Sequence, residues 1–215
     1  MDKLIVPERK LLIAGHHSVS DWDFQFAAPN WTLDTALYVV APASLRLKYT
    51  AGGTPSFSVI CKYATVLNLP QGELRTWYRS VQAYEAWCTF RNQAAVGSAN
   101  ELNCYATVMS PTNLALYRMV AGIATARGSW PTTHAVNTWE RFRLQWWNGN
   151  DLYGVDALCV NLYKEVSGQW VQQGGTLYDT SQQWKTSSIN RVGLRGQTDV
   201  TYFTNFDETE IWGPA

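Results

Sequence analysis

The sequence predicts an all-β protein, an antiparallel two-sheet β-sandwich of about a dozen strands, and three observations predict it. Residues 139–147 (W-E-R-F-R-L-Q-W-W) alternate: Glu140, Phe142, Leu144 and Trp146 fall on one face of an extended strand, and Trp139, Arg141, Arg143, Gln145 and Trp147 on the other. Comparable stretches recur roughly every 8–15 residues between Gly, Pro and Asn breaks. No segment carries a convincing long helical period. Composition agrees: charged residues are only 16% and Trp occurs 11 times in 215 residues, which suits extensive sheet surface and few solvated helices.

Taken in order, residues 1–15 read as an N-terminal arm or first strand, apolar enough to pack on a partner, and residues 16–215 as a single sandwich domain. Residues 21–26 alternate and stop at Pro29-Asn30; a short strand follows within 31–40. Residues 44–50 set Leu45, Leu47 and Tyr49 against Arg46 and Lys48. Residues 56–67 are more continuously apolar, as in a strand covered on both sides. In residues 72–80, Arg75, Trp77 and Arg79 oppose Leu74, Thr76 and Tyr78. In residues 83–92, Glu85, Trp87, Thr89 and Arg91 oppose Tyr84, Ala86, Cys88 and Phe90. Arginine and tryptophan thus share a face three times. Residues 102–109 and 113–120 form a hairpin around Pro111. After the 139–147 strand, Asn148-Gly149-Asn150-Asp151 supplies a turn, 156–163 alternates, Gly168 and Gly174-Gly175 mark turns, 189–194 is a short strand and 200–212 the last one.

Net charge is zero, so nothing electrostatic favours a nucleic-acid partner. No stretch approaches the ~18 apolar residues of a membrane-spanning helix. The opening M-D-K-L-I-V-P-E-R-K-L-L-I-A-G is too short and interrupted for a secretion signal; if Met1 starts the chain, the expectation is a cytosolic product that leaves by lysis or inside a particle. Cys61, Cys88, Cys104 and Cys159 match no zinc spacing. With Cys88 and Cys104 read onto core faces of neighbouring strands, buried free thiols are expected, a disulfide being the alternative.

The succession N-L-A-L-Y-R-M-V-A-G (113–122), W-E-R-F-R-L-Q-W-W, D-A-L-C-V-N-L-Y (156–163), Trp170, an Asp179 loop, R-V-G-L-R-G (191–196) and F-D-E-T-E-I-W (206–212) resembles the concanavalin A-like lectin/glucanase superfamily. It resembles the laminin-G-like jelly-roll branch over residues 70–213. The resemblance implies two curved sheets, with a sugar groove on the concave one. Arg75, Trp77, Arg79, Trp87, Arg91, Arg141, Arg143 and Trp147 are the candidates for that groove or its rim. Indole faces stack on pyranose C–H patches, and arginine forks pair with carboxylates or bridge hydroxyls. The same residues also satisfy one another by Arg–Trp stacking without a ligand.

The resemblance further implies a structural Ca²⁺, for which Asp21, Asp23 and Asp207 are candidate ligands, against the alternative of acids capping turns. It implies two enzyme tests as well. A glycosidase needs paired carboxylates; the nearest string, Asp207-Glu208-Thr209-Glu210, puts Glu208 and Glu210 on one face and Asp207 on the other. A lyase of this fold needs a Tyr/His pair with Arg and Gln, and the histidines are only His16, His17 and His134, none in a Q-x-H strand. The expectation is a non-catalytic glycan-binding or structural module. It would be a phage virion surface protein, as capsid decoration or tail-associated subunit, contacting glycan, copies of itself or other subunits. A polysaccharide-active enzyme and a ligand-free scaffold are the alternatives.

Overall fold

Alternating segments become strands when one face of each can be sealed. The computed structural model describes residues 9–13, 23–24, 31–48, 56–61, 68–80, 85–93, 103–109, 113–198 and 203–214, and among these no helix occurs. The strands are β1 (Arg9–Ile13), β2 (Asp23–Phe24), β3 (Trp31–Asp34), β4 (Ser44–Lys48), β5 (Ser56–Cys61), β6 (Gly72–Ser80), β7 (Glu85–Asn92) and β8 (Cys104–Met109). They continue with β9 (Leu114–Val120), β10 (Ile123–Trp130), β11 (Glu140–Asn150), β12 (Asp156–Val166), β13 (Gln169–Gln172), β14 (Leu177–Asp179), β15 (Arg191–Thr198) and β16 (Phe203–Pro214). A nine-stranded sheet runs β13-β12-β11-β6-β16-β4-β3, with β1 on β16 and β14 on β12; a seven-stranded sheet runs β10-β9-β8-β7-β15-β5-β2. The expected two-sheet antiparallel sandwich is the observed fold.

The core is sealed by the even-numbered side chains of β11. Phe142, Leu144 and Trp146 are fully buried, and Trp146 Nε1 donates to the Leu69 carbonyl at 3.2 Å, so its one polar atom is satisfied. Phe90 stacks on Trp146 and Tyr105 at centroid distances of 5.0 and 5.4 Å, which ties the two sheets together. Truncating a buried aromatic of this size costs about 3–5 kcal/mol.

Several expectations are corrected. Of the two readings of the N-terminal segment, arm or first strand, residues 9–13 take the second: β1 pairs along the protein's own β16. Asn148, Gly149 and Asn150 stay in the β11–β12 ladder. The turn comes one step later, where Asp151 Oδ1 accepts the N–H groups of Tyr153 and Val155, each at 2.9 Å. Strands β10, β13 and β14 were not anticipated. For β13 the signal was present: Ser167-Gly168, both at positive φ (51° and 77°), form a two-residue hairpin turn. Cys88, Cys104 and Cys159 are buried, and no disulfide joins them to one another. Cys88 lies opposite Thr107, whereas Cys104 points away from its inward neighbour Tyr105, so these two thiols do not share a face.

Candidate functional site on the outer face of the larger sheet

If even residues of β11 seal the core, the odd ones reach the outer face, and antiparallel register then decides their neighbours. Three rows cross the sheet. In the first, Trp77 of β6 stands between Arg141 and Asp207, while Trp170 of β13 pairs Glu165 of β12. In the second, Arg143 stands between Arg75 and Tyr163, with Gln172 beyond Tyr163 and Glu210 beyond Arg75. In the third, Gln145 lies between Asn161 and Glu73, and Glu73 faces Trp212.

Most charges on this face are paired. Arg75 Nε donates to Glu73 and its Nη1 lies 3.6 Å from Glu210, with the guanidinium 4.2 Å from the Trp212 ring centre. Gln145 donates its amide to the other Glu73 oxygen, and Trp212 Nε1 donates to Glu210 at 3.0 Å. Arg141 gathers Glu165, Glu208 and Glu210 at 3.5, 3.3 and 3.7 Å, and Trp77 Nε1 donates to Glu208 at 3.2 Å.

Arg143 differs. It faces Arg75 directly across the ladder, an unfavourable like-charge pairing. Arg75 is drawn to its acids, and Arg143 lies instead over Tyr163, at 3.9 Å to the ring centre, and 5.2 Å from Trp170. Its Nε is buried and has no hydrogen-bond acceptor. A relay orients the platform: Gln172 Nε2 donates to Asn161 Oδ1, and Asn161 Nδ2 donates to the Tyr163 hydroxyl, both at 3.3 Å.

Of the eight residues expected in the groove, Arg75, Trp77, Arg141 and Arg143 form this lattice. Arg79 is on the same face toward one end, 8% exposed, donating to Asn137 Oδ1 and lying 5.5 Å from the Phe203 ring centre. Burial lowers its pKa, and the charge of Asp34 pulls the other way. Trp147 has the expected orientation opposite Cys159 but is only 4% exposed.

Two expectations fail. The ladder shifts register between Ala86 and Cys88, and this bulge turns Trp87 into the core, 5.6 Å from Phe142. Arg91, at φ 47°, is fully buried. It donates to the Pro70 and Gln183 carbonyls and to Asn148 Oδ1 at 2.7, 3.3 and 2.6 Å, tying three segments at one end of the sandwich. Burial lowers its pKa to about 10 despite the opposing influence of Tyr105, Asp179 and Cys159.

Asp207 is also corrected as a metal ligand. Its Oδ2 accepts the Val39 and Val40 N–H groups at 2.6 and 2.7 Å, and its Oδ1 accepts that of Glu208 at 2.7 Å. Backbone donors surround an anion here, which leaves no room for a cation. Asp21 lies outside the described residues, as does the side chain of Asp23.

A bulge between Asp207 and Glu210 overturns the predicted division of those acids: Glu208 adopts φ 44°, Thr209 turns inward to Thr76 Oγ1 at 2.8 Å, and Asp207, Glu208 and Glu210 all reach the outer face. The lyase constellation is represented by Tyr163, Arg143 and Gln145 without a histidine among the described residues of the face. His134 sits elsewhere, its Nδ1 2.6 Å from Glu140 and its Nε2 accepting the Ser80 N–H at 3.1 Å. His16 and His17 lie outside the described residues. Tyr163, Trp170 and Trp212 were not picked from sequence, although the alternation of 156–163 and the Ser-Gly turn before Trp170 carry the information.

No protein-family model matches the chain, and no curated protein matches it in sequence. Solved structures do match in fold. The alginate lyase of Aplysia kurodai superposes with a TM-score of 0.65 at 12% identity, covering 95% of this chain and 100% of that one. The carbohydrate esterase of the Shiga toxin-encoding bacteriophage phi24B gives 0.54 at 16% identity, covering 97% and 100%. The potassium-bound carbohydrate recognition domain of Emp46p gives 0.50 at 9% identity, covering 92% and 90%. These likenesses support a concanavalin A-like jelly-roll fold for this chain.

Proposed function

We propose that the protein is a non-catalytic glycan-binding module that uses the outer face of the nine-stranded sheet. The observation that carries this reading is the Arg143–Tyr163–Trp170 group beside Arg141 and Trp77: aromatic platforms and a cation without an acceptor, on a half-buried open surface. The rings stack on sugar C–H faces while the guanidinium edges hydrogen-bond sugar oxygens. The acids act as orienting partners, since each carboxylate of the lattice is engaged by an arginine or an indole N–H.

The finer reading places the module, of laminin-G-like type, on a phage virion as a capsid decoration or tail-associated subunit that assembles with copies of itself. Its support is the match, over nearly the whole of both chains, to a phage carbohydrate esterase. The pairing of β1 with β16 removes the free arm as a reason for assembly.

Two measurements test this. A glycan array probed with the wild-type chain and with Trp77→Ala/Trp170→Ala should show binding that the double variant loses by about tenfold or more, with thermal melting little changed. Release of new reducing ends or unsaturated products from a bound polysaccharide would instead establish the enzyme alternative. Antibodies against the protein should label purified virions in electron micrographs; unlabelled particles would remove the virion assignment.

A further inference from the structure

The geometry points to a subsite for carboxylated sugars at Arg143, a conclusion that rests on the glycan-binding reading and sharpens it to a substrate class. Arg75 already holds two carboxylates and Arg141 three, with Glu210 shared between them, so a ligand acid would have to displace a protein acid there. Arg143 has none. Among the described residues no acid or other hydrogen-bond acceptor engages its guanidinium, and its contacts are the rings of Tyr163 and Trp170.

A guanidinium packed on aromatic rings keeps its donors in one plane, and a carboxylate presents two coplanar oxygens that match that fork. Arg143 also stands across from Arg75, whose charge is met by Glu73 and Glu210, so Arg143 is the cation of this row with no counter-charge beside it among the described residues. Tyr163 adds a second donor. Its oxygen accepts from Asn161, fixing the hydroxyl, while its own O–H meets no acceptor among the described residues and is available to a sugar oxygen. Trp170 completes the group as the stacking wall. Adjacent strands lie about 4.8 Å apart, close to the length of one pyranose unit, so a chain crossing the strands would present successive units to Tyr163, Arg143 and Arg75 in turn.

The test is calorimetric titration of the full chain with oligogalacturonate, with the same oligomer after carboxyl reduction, and with a sulfated galactan oligomer. The oligogalacturonate should bind about tenfold or more tightly than its reduced form, and the preference should weaken with salt. Arg143→Ala should abolish the preference; Arg143→Lys, a point charge without a fork, should restore only part of it. The wild-type comparison holds even if a variant misfolds. Equal binding of the acidic and reduced oligomers, retention of the preference in Arg143→Ala, or tighter binding of the sulfated chain each overturns the carboxylate subsite. Binding of the reduced oligomer alone overturns it while leaving the glycan reading in place. Binding of none of the three sinks both.

Discussion

Two arginine clusters in this molecule use the same side chains to opposite ends. In one, Asp179 of β14 is a buried centre: it accepts Tyr105 Oη at 2.7 Å, Arg118 Nη1 at 3.2 Å and Ser181 Oγ at 2.8 Å, and Arg127 Nη1 lies 3.5 Å away. Ser181 is local, but Tyr105, Arg118 and Arg127 come from β8, β9 and β10, so one carboxylate fastens the edge of the larger sheet to the smaller one. In the other, Arg143 has two aromatic neighbours and, among the described residues, no carboxylate. Cations that converge on a protein acid are spent on the fold. A cation denied that acid by register keeps its donors for the carboxylate we propose.

The sharpest way to break the comparison is to remove the acid from the closed cluster. Asp179→Ala leaves Arg118 and Arg127 facing each other and Tyr105 without its acceptor. Removing one partner of a buried pair costs about 3–5 kcal/mol, and solvent reaching both arginines reduces this to about 2–3 kcal/mol. Urea unfolding should register that loss while glycan affinity stays near the wild-type value. An unchanged midpoint would mean that the Asp179 cluster is not what joins the sheet edges.

Acid titration sharpens the same contrast. Burial pushes the Asp179 pKa up, but hydrogen bonds from Tyr105 and Ser181 and the charge of Arg118 more than offset it, and the net shift is downward. Glu140 behaves alike: burial raises its pKa, and His134, Lys164 and the Ala135 N–H bring it down further. For a depressed carboxylate the folded state binds the proton less readily than the unfolded one. The stabilisation is therefore complete above the ordinary values of 3.8 and 4.5 and fades as pH falls through the lower folded values. The stability gap between wild type and Asp179→Ala should accordingly hold at pH 6 and shrink below about pH 4. A gap that is constant with pH would mean that packing, not charge, accounts for the loss.

Much of this was legible in the residues. Period-two alternation gave β6 and β11 their faces, and with them Arg75, Trp77, Arg141 and Arg143, because neither strand contains a bulge. Where a bulge intervenes, alternation misleads. One extra residue at Ala86–Cys88 sent Trp87 inward, and another after Asp207 brought Glu208 and Asp207 to the same face. Arg91 could not be placed because its partners Pro70, Gln183 and Asn148 are distant in sequence and meet only in the folded molecule. Arg143 was chosen for its type and face. What distinguishes it from Arg75 and Arg141 is the register of β6, β11 and β12, which a single sequence does not print.

The smallest effect concerns how the open cluster is held. Gln172 touches no ligand position in the proposed carboxylate subsite; it orients Asn161, which orients Tyr163, through two half-buried hydrogen bonds of 3.3 Å each. A net hydrogen bond is worth about 0.5–1.5 kcal/mol, and long, solvent-accessible ones fall at the lower end. Gln172→Ala should therefore weaken acidic-oligomer binding by only about two- to threefold, leave the melting temperature unchanged, and preserve the preference over the carboxyl-reduced form. Calorimetry on the same oligomer pair reads this directly. If Gln172→Ala proved as damaging as Arg143→Ala, the relay rather than the unpaired cation would be setting the specificity, and the contrast with Asp179 would have to be redrawn around hydrogen-bond geometry.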